Sequence, residues 1–299
     1  MRYLIFVTVL WAFSFSLIGE YLAGRVDSYF AVLTRILLAG ALFLPFLRWS
    51  GLPRAFSAGI MLCGALQFGV TYVCLYLSFE YLTVPEVLLF TITTPLYVAL
   101  IDEGLKGRFS VGPLISTLLA VIGAGVIRYD QISDQYLLGL LILQLANAAF
   151  AAGQVGYAHL VRRFEVDAPL YRSFGFFYLG ALAIVLPAFL VLGNPEKLPQ
   201  TPLQWGVLVW LGLAASGLGF YLWNKGATLV DGGTLGIMNN ALIPAGLIVN
   251  LLIWNRDADL VRLSIGGAII LLSLALNRRW QASNNAASYS GPGRPTAKP

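Results

Sequence analysis

Long apolar segments alternate with short polar connections along the chain, and ten such segments can be marked. Their bounds are Tyr3–Gly19, Tyr29–Trp49, Ser57–Phe79, Thr83–Ile101, Val111–Ile127, Tyr136–Tyr157, Phe174–Leu192, Leu203–Trp223, Thr234–Ile253 and Leu260–Leu276. A helix needs about 20 apolar residues to cross the hydrocarbon core of a bilayer. The pattern therefore predicts an all-α integral membrane protein with ten transmembrane helices.

Two of these segments, Thr83–Ile101 and Thr234–Ile253, carry polar side chains and a proline in their middle. Proline has no N–H group and its ring clashes with the carbonyl four residues back. Pro95 and Pro244 therefore predict kinks or hinges that free backbone carbonyls at mid-membrane depth. Polar groups at that depth usually face a packed interior or a cavity. The alternative to a cavity is a kinked helix whose polar side chains hold neighbouring helices together.

Composition agrees with the segment pattern, since 58% of the 299 residues are hydrophobic and only 11% are charged. A soluble domain carries about 25% charged residues. The net charge of +5 comes from cations dispersed between the segments, so it does not indicate nucleic-acid binding. With an even number of spans, one side of the membrane has eleven Lys and Arg residues and the other has five. This asymmetry predicts that both termini are cytoplasmic, in a bacterial inner membrane.

An internal repeat is visible when the chain is shifted by 149 residues, because Tyr72 then falls on Tyr221 and Pro95 on Pro244. Each half holds five segments, an odd number, so the second half enters the membrane from the opposite side. Such inverted repeats are typical of secondary transporters. We therefore predict one five-helix repeat over residues 1–130, a second over 131–280, and a disordered tail over 281–299.

Reactive chemistry has little support in the sequence. The chain has two cysteines in one apolar segment and a single histidine, His159, so we predict no metal site and no cofactor. No nucleophile–base set and no phosphate-binding loop is present, which indicates that the chain is not an enzyme. A membrane-embedded lipid-modifying enzyme and a non-transporting scaffold or sensor remain as alternatives. The expected partners are a small molecule and the lipid bilayer, with the chain a monomer.

Several motifs resemble those of the EamA-type transporters of the drug/metabolite transporter superfamily. They are Leu10-Trp11-Ala12 with Ser14, Thr34-Arg35 with Ala39, the two proline helices, and Asp102-Glu103. The resemblance implies ten helices around a central cavity and transport of amino acids or other small metabolites, often outward, by alternating access. It extends to the branch of carboxylate, amino-acid and amine transporters. The sequence departs from the family pattern at Asn255-Arg256, where the second half usually has an acidic residue.

Candidate substrate-binding residues lie in both halves. Trp11 and Ser14 mark the first segment, where an ordinary interfacial or packed aromatic residue and a cavity wall that holds an apolar part of a substrate are both open. Tyr72 and Tyr76, four residues apart, share a helix face. Tyr221 is the repeat mate of Tyr72. Aromatic residues of a membrane interface are the alternative for these tyrosines.

Amide and hydroxyl side chains complete the candidate set. Asn147 and Gln154 belong to a polar stripe on one face of the sixth segment, where cavity lining and helix packing are both open. Thr94, Asn239 and Asn240 can donate and accept hydrogen bonds, so they can hold a zwitterion without a fixed charge.

Two charged residues have competing interpretations. Glu86 can bind an amine or carry a proton, but Thr83-Val84-Pro85-Glu86 also fits a helix capping box. Arg35 lies inside the second segment, where a cation must find a partner. A structural role is expected for Arg35, with Glu20 or Asp27 as the partner.

Overall fold

Helices account for most of the computed structural model, which describes residues 1–82, 87, 90–107, 111–128, 136–164, 168–254 and 259–289. No strand occurs in that part of the chain. In chain order the helices are α1 Arg2–Leu22, α2 Ser28–Phe46, α3 Arg54–Ser78, α4 Thr94–Leu105, α5 Val111–Arg128, α6 Tyr136–Phe164, α7 Tyr171–Leu192, α8 Pro202–Ala227, α9 Gly232–Trp254 and α10 Leu260–Tyr289.

Eight of the helices are long and apolar enough to cross a membrane, so the chain is a multi-pass membrane protein. They coincide with eight of the ten predicted segments. In the other two, α4 is described only from Thr94 and the apolar stretch of α5, Val111–Val126, is shorter. Ten membrane crossings therefore stay a prediction. At the other end of the chain, α10 continues to Tyr289, into the segment predicted to be a disordered tail.

Local sequence signals set the helix boundaries. The Asp27 side chain accepts a hydrogen bond from the Phe30 N–H at 2.7 Å and caps α2. Thr201 and Gln204 form a capping box at the start of α8. Gly24, with φ of 72°, supplies the left-handed residue that turns the chain between α1 and α2.

The packing of the helices follows a regular pattern. α2 packs on α7, α4 on α9, and α5 on α10, so the two helices of each of these three pairs, five apart in order, lie side by side. In addition, α1 packs on α8 and α9, and α6 packs on α3 and α4. Exchanging each helix of the first half for the one five places later leaves these main contacts unchanged. Two halves related by a pseudo-two-fold axis give this pattern, and the inverted repeat stays our interpretation of it.

Helical geometry is interrupted at matching places in the two halves. A turn at Ile92 and Thr93 precedes α4, and α9 is divided at Ala241, which is 149 positions after Ile92. Both turns lie just before the prolines that were predicted as hinges. Wide π-helical stretches occur at Ala65–Val70 in α3 and at Leu211–Gly219 in α8. Such stretches often occur at functional sites.

Candidate functional site

The two ends of the molecule can be distinguished by the residues they carry. At one end, which we call the Met1 end, a shallow opening of about 550 Å³ is lined by Met1, Lys106, Arg162, Thr228, Leu229, Val230, Asp231, Thr234 and Arg278. Met1 precedes the first helix and Arg278 lies in the last. At the opposite end, the Lys197 end, the Asp27 N–H donates to the Lys197 carbonyl at 2.7 Å.

The π-helical stretch of α8 provides hydrogen-bond acceptors to neighbouring helices. The indole N–H of Trp11 in α1 donates to the Ala215 carbonyl at 2.9 Å. The hydroxyl of Tyr178 in α7 donates to the Ser216 carbonyl at 2.7 Å. A widened turn leaves carbonyls that the regular α-helical ladder would otherwise use. These bonds fix α1 and α7 against the middle of α8.

A cluster of amide and indole groups joins α6, α8 and α9 at mid-depth. Gln154 is fully buried, and its Oε1 accepts from the Trp223 Nε1 at 2.8 Å. Its Nε2 donates to the Asn239 Oδ1 at 3.3 Å. Asn239 is half-buried and also donates to the Leu235 carbonyl. We call Gln154, Trp223 and Asn239 the amide cluster.

Aromatic rings pack around the amide cluster and extend from it. The Trp11 ring lies 4.9 Å from Trp223 and 5.1 Å from Phe220, measured between centroids. Phe220 in turn lies 4.6 Å from Phe68 and 6.4 Å from Phe150. These rings come from α1, α3, α6 and α8, so the aromatic group brings both halves together. It provides flat apolar surfaces beside donors and acceptors of hydrogen bonds.

Asn240, although adjacent to Asn239, has a different environment. It is 2% exposed, and its Nδ2 donates to the carbonyls of Ile92 at 3.0 Å and Ala120 at 3.3 Å. This side chain therefore fixes the interruption of α9 against the turn before α4 and against α5. The geometry assigns it a packing role, whereas the sequence expectation grouped it with Asn239 in substrate binding.

A second polar group surrounds the turn before α4. The Asn147 Nδ2 donates to the Phe90 carbonyl at 2.9 Å and to the Thr93 Oγ1 at 3.2 Å. The hydroxyl of Thr94 donates to the Thr91 carbonyl at 2.7 Å, and Thr94 is buried. Asn147 and Thr94 thus donate hydrogen bonds to backbone carbonyls at the turn before α4. This polar group is separate from the amide cluster.

The remaining predicted residues are dispersed. Ser14 is buried and its hydroxyl donates to the Leu10 carbonyl within α1. Tyr221 lies between Phe43 and Phe174 and its ring faces the Lys225 ammonium at 5.8 Å. Glu86 lies outside the described residues, so capping and proton transfer both stay open for it.

Tyr72 and Tyr76 lie beside Arg35. The Tyr72 hydroxyl accepts a hydrogen bond from the Arg35 Nη2 at 3.2 Å, and the Tyr72 ring stacks on Phe68 at 4.7 Å. The Tyr76 ring is 6.1 Å from Tyr72. Both tyrosines are half-buried.

Sequence reasoning missed Phe68, Phe220 and Trp223 as parts of the aromatic group. Each lies in an apolar segment where an aromatic residue is ordinary, so hydropathy gives no signal. Phe220 could have been found because it directly precedes Tyr221, the residue that the internal repeat aligns with Tyr72.

An acidic pair at the end of α4 lies close to the start of α9 at the Met1 end. Lys106 pairs with Asp102 and lies 3.6 Å from the Glu103 carboxylate. A Cβ atom added to Gly232, the first residue of α9, would lie 2.1 Å from the Asp102 carboxylate oxygen. Only glycine allows this approach. The corresponding Asn255-Arg256 of the second half lies outside the described residues.

Metal binding has no support in the described part of the chain, which holds no group of three His, Cys, Asp or Glu side chains able to hold an ion.

The apolar helices define a multi-pass membrane protein, and comparison with known proteins assigns it to a family of transporters. The chain belongs to the EamA-like transporter family, whose family model matches residues 2–129. Its relatives are transporters and not enzymes.

Two curated relatives span nearly the whole chain. A protein of Pseudomonas aeruginosa named "Probable biotin transporter" is 63% identical over 278 residues, covering 93% of this chain and 97% of the relative. A protein of Escherichia coli strain K12 named "Biotin transporter" is 52% identical over 287 residues, covering 96% and 95%. A solved crystal structure shares the fold with a TM-score of 0.77 at 17% identity, covering 92% of this chain and 95% of that one.

Proposed function

We propose that this chain is a carrier that moves biotin, or a small molecule closely similar to it, across the membrane by alternating access. The relatives that carry biotin in their names are 52% and 63% identical over more than nine tenths of the chain. They support a small metabolite as substrate and give no support to amino acids in particular. Export, which the family resemblance implies, stays a prediction.

The observation that carries the proposal is the amide cluster and its aromatic surroundings. Biotin has a ureido ring with two N–H donors and one carbonyl acceptor, fused to an apolar sulfur-containing ring. Gln154 and Asn239 each offer a donor and an acceptor, so they match the ureido ring without a fixed charge. Trp11 and Phe220, which are buried against each other here, would supply flat surfaces for the fused ring once a ligand separates them.

The mechanism follows from where the cluster lies. Gln154 belongs to α6, Trp223 to α8 and Asn239 to the last residues of α9 before its interruption. A ligand that inserts its ureido ring here exchanges protein–protein hydrogen bonds for protein–ligand ones, each with a net contribution of about 1 kcal/mol. Such modest contributions suit a carrier, which must also release its substrate.

The two parts of α9 support a hinge at Ala241. In the first part, Gly232–Asn240, every residue except Asn239 is buried, whereas no residue of Leu242–Trp254 is buried. Fewer packing contacts leave the second part freer to move. In our proposal it swings about the break before Pro244, opening the site toward the Lys197 end, while the Met1 end stays closed by Asp102 and Gly232. The charge asymmetry of the sequence makes the Met1 end cytoplasmic in this proposal.

The test is counterflow of labelled biotin in vesicles reconstituted with the purified chain, because exchange does not depend on the direction of net transport. Unlabelled biotin, desthiobiotin and a panel of amino acids inside the vesicles compete as trans substrates. We expect label to accumulate only with biotin or desthiobiotin inside, and Gln154→Leu to lose most of this signal. Empty vesicles give the background. Accumulation driven by amino acids and absent with biotin would refute the proposal.

A further inference from the structure

Arg35 is a buried cation, and no acidic side chain pairs with it among the residues that the structure describes. It lies in α2 with 5% of its surface exposed. Within the described chain, no carboxylate lies within ion-pair distance of its guanidinium, including the Glu20 and Asp27 carboxylates that the sequence suggested. Asp27 instead accepts a hydrogen bond from the Phe30 N–H at the start of α2. A buried cation held by neutral groups is costly, and an ionisable side chain inside a membrane-spanning helix is a candidate for function.

Neutral groups orient the Arg35 side chain. Its Nε donates to the Ser216 Oγ at 2.9 Å, in the π-helical stretch of α8. Its Nη2 donates to the Tyr72 hydroxyl at 3.2 Å, and the guanidinium carbon lies 5.2 Å from the Tyr72 ring centroid and 5.9 Å from that of Phe68. These contacts hold the planar guanidinium group of Arg35 in place but do not neutralise its positive charge. Nη1 donates to no described residue.

Tyrosines connect Arg35 to the Lys197 end. Tyr76 follows Tyr72 by one helical turn on α3, and its ring lies 5.8 Å from that of Tyr29 at the start of α2. Tyr29, Tyr72 and Tyr76 are all half-buried, so each keeps exposed surface. Their apolar rings and hydroxyl groups have the chemistry that suits contact with an amphipathic acid.

We propose that Arg35 binds the carboxylate of the transported substrate, which makes this carrier selective for monocarboxylates over their uncharged derivatives. The inference rests on the proposed function and adds the residue that recognises the acid. An arginine fork matches a carboxylate in two parallel hydrogen bonds, a geometry that lysine does not reproduce. Phe68 contacts both the Arg35 guanidinium and Phe220. In this proposal the ligand places its acid at Arg35 and its neutral polar ring at the amide cluster, on the two sides of Phe68.

The experiment compares biotin with biotin amide, an uncharged analogue in which an NH2 group replaces one carboxylate oxygen, as competitors of labelled biotin in vesicles. Wild-type protein is expected to prefer biotin by at least about tenfold, since hydrogen bonds to a charged group contribute more than neutral ones. Arg35→Gln is expected to raise the half-saturating concentration of biotin about 10- to 100-fold and to change that of biotin amide by less than about threefold. Arg35→Lys is expected to be intermediate. Arg48→Gln, which removes an exposed arginine just after the same helix, serves as the matched control and is expected to resemble wild type.

Three outcomes overturn the inference. Equal competition by biotin and biotin amide in the wild-type protein overturns it without any variant, which covers the case in which Arg35→Gln does not fold. A folded Arg35→Gln protein that keeps wild-type preference for biotin overturns it as well. So does an equal loss of both compounds in that variant, which indicates a packing role. Each of these leaves biotin transport intact in the wild type, whereas a wild-type protein that exchanges neither compound refutes the proposed function itself.

Discussion

Trp11 and Ala215 are 204 positions apart in the chain, and the indole N–H of Trp11 donates to the Ala215 carbonyl at 2.9 Å. The bond crosses from the first helix of one half to the π-helical stretch of the other. It is possible because the widened turn leaves that carbonyl available. The same indole ring packs against Phe220 and Trp223, so one residue both joins the halves and forms part of the proposed site.

Trp11→Phe tests this bond, because it keeps an aromatic ring and removes the N–H donor. The Ala215 carbonyl then loses its partner in a buried position, which costs about 1–3 kcal/mol. We expect a lower thermal unfolding midpoint for the purified variant. Trp49→Phe, at an exposed position, is the control and should unfold like wild type. Identical midpoints for all three proteins would contradict the importance of the bond.

Asn239 and Asn240 form a matched pair of neighbours with opposite expected effects. Asn240→Ala leaves the Ile92 and Ala120 carbonyls without a buried donor, so we expect unfolding to become easier by about 1–3 kcal/mol. Asn239→Ala affects a half-buried amide of the cluster, so we expect reduced biotin exchange with a smaller change in stability. Thermal unfolding and counterflow measured on the same preparations separate the two. If Asn239→Ala lowered stability and Asn240→Ala reduced biotin exchange instead, Asn239 would be the packing residue and Asn240 the binding residue.

Gly232→Ala tests the close approach of α4 and α9 at the Met1 end. The added methyl group collides with the Asp102 carboxylate, so α9 must move away from α4. We expect a lower maximal exchange rate with little change in half-saturating concentration, because closure of the Met1 end is hindered. Gly206→Ala adds the same methyl group where no atom lies within 4 Å, and it should behave like wild type. Equal rates in both variants would argue against closure at this contact.

Pro244→Ala tests the proposed hinge in α9. Restoring an N–H at this position favours a continuous helix, so bending becomes harder. We expect the maximal exchange rate to fall about tenfold, corresponding to about 1.4 kcal/mol of barrier, with substrate affinity maintained. Pro187→Ala removes a proline inside α7, and no change is expected there. An unaltered rate in Pro244→Ala would show that bending at this proline does not limit exchange.

Several features of the fold could be predicted from the sequence because they depend on local or one-dimensional properties. Segment length and hydropathy located the eight described helices that are long and apolar enough to cross a membrane, and the proline positions marked the turns at Ile92–Thr93 and at Ala241. The spacing of 149 residues between Pro95 and Pro244 also relates Ile92 to Ala241, the two observed turns. The EamA-like family was likewise predicted from short motifs and confirmed by the comparisons.

The composition of the site was harder to predict, because it depends on which face of each helix meets which neighbour. Asn239 and Asn240 have the same side chain, and a rotation of about 100° around the helix axis separates an amide in the cluster from one sealed against α5. Arg35 was expected to pair with a nearby acid, but its partners Ser216 and Tyr72 come from other helices. Sequence separation of 181 positions hides the contact with Ser216 from any local pattern.

The π-helical stretch Leu211–Gly219 makes the angular position of everything after it depend on the number of residues it contains. Each residue in an α-helix turns the chain by about 100°. Deleting a single residue here would thus rotate Phe220 and Trp223 away from Trp11 and Gln154, together with every later residue of α8. Insertions and deletions in this stretch should therefore be far less tolerated than substitutions.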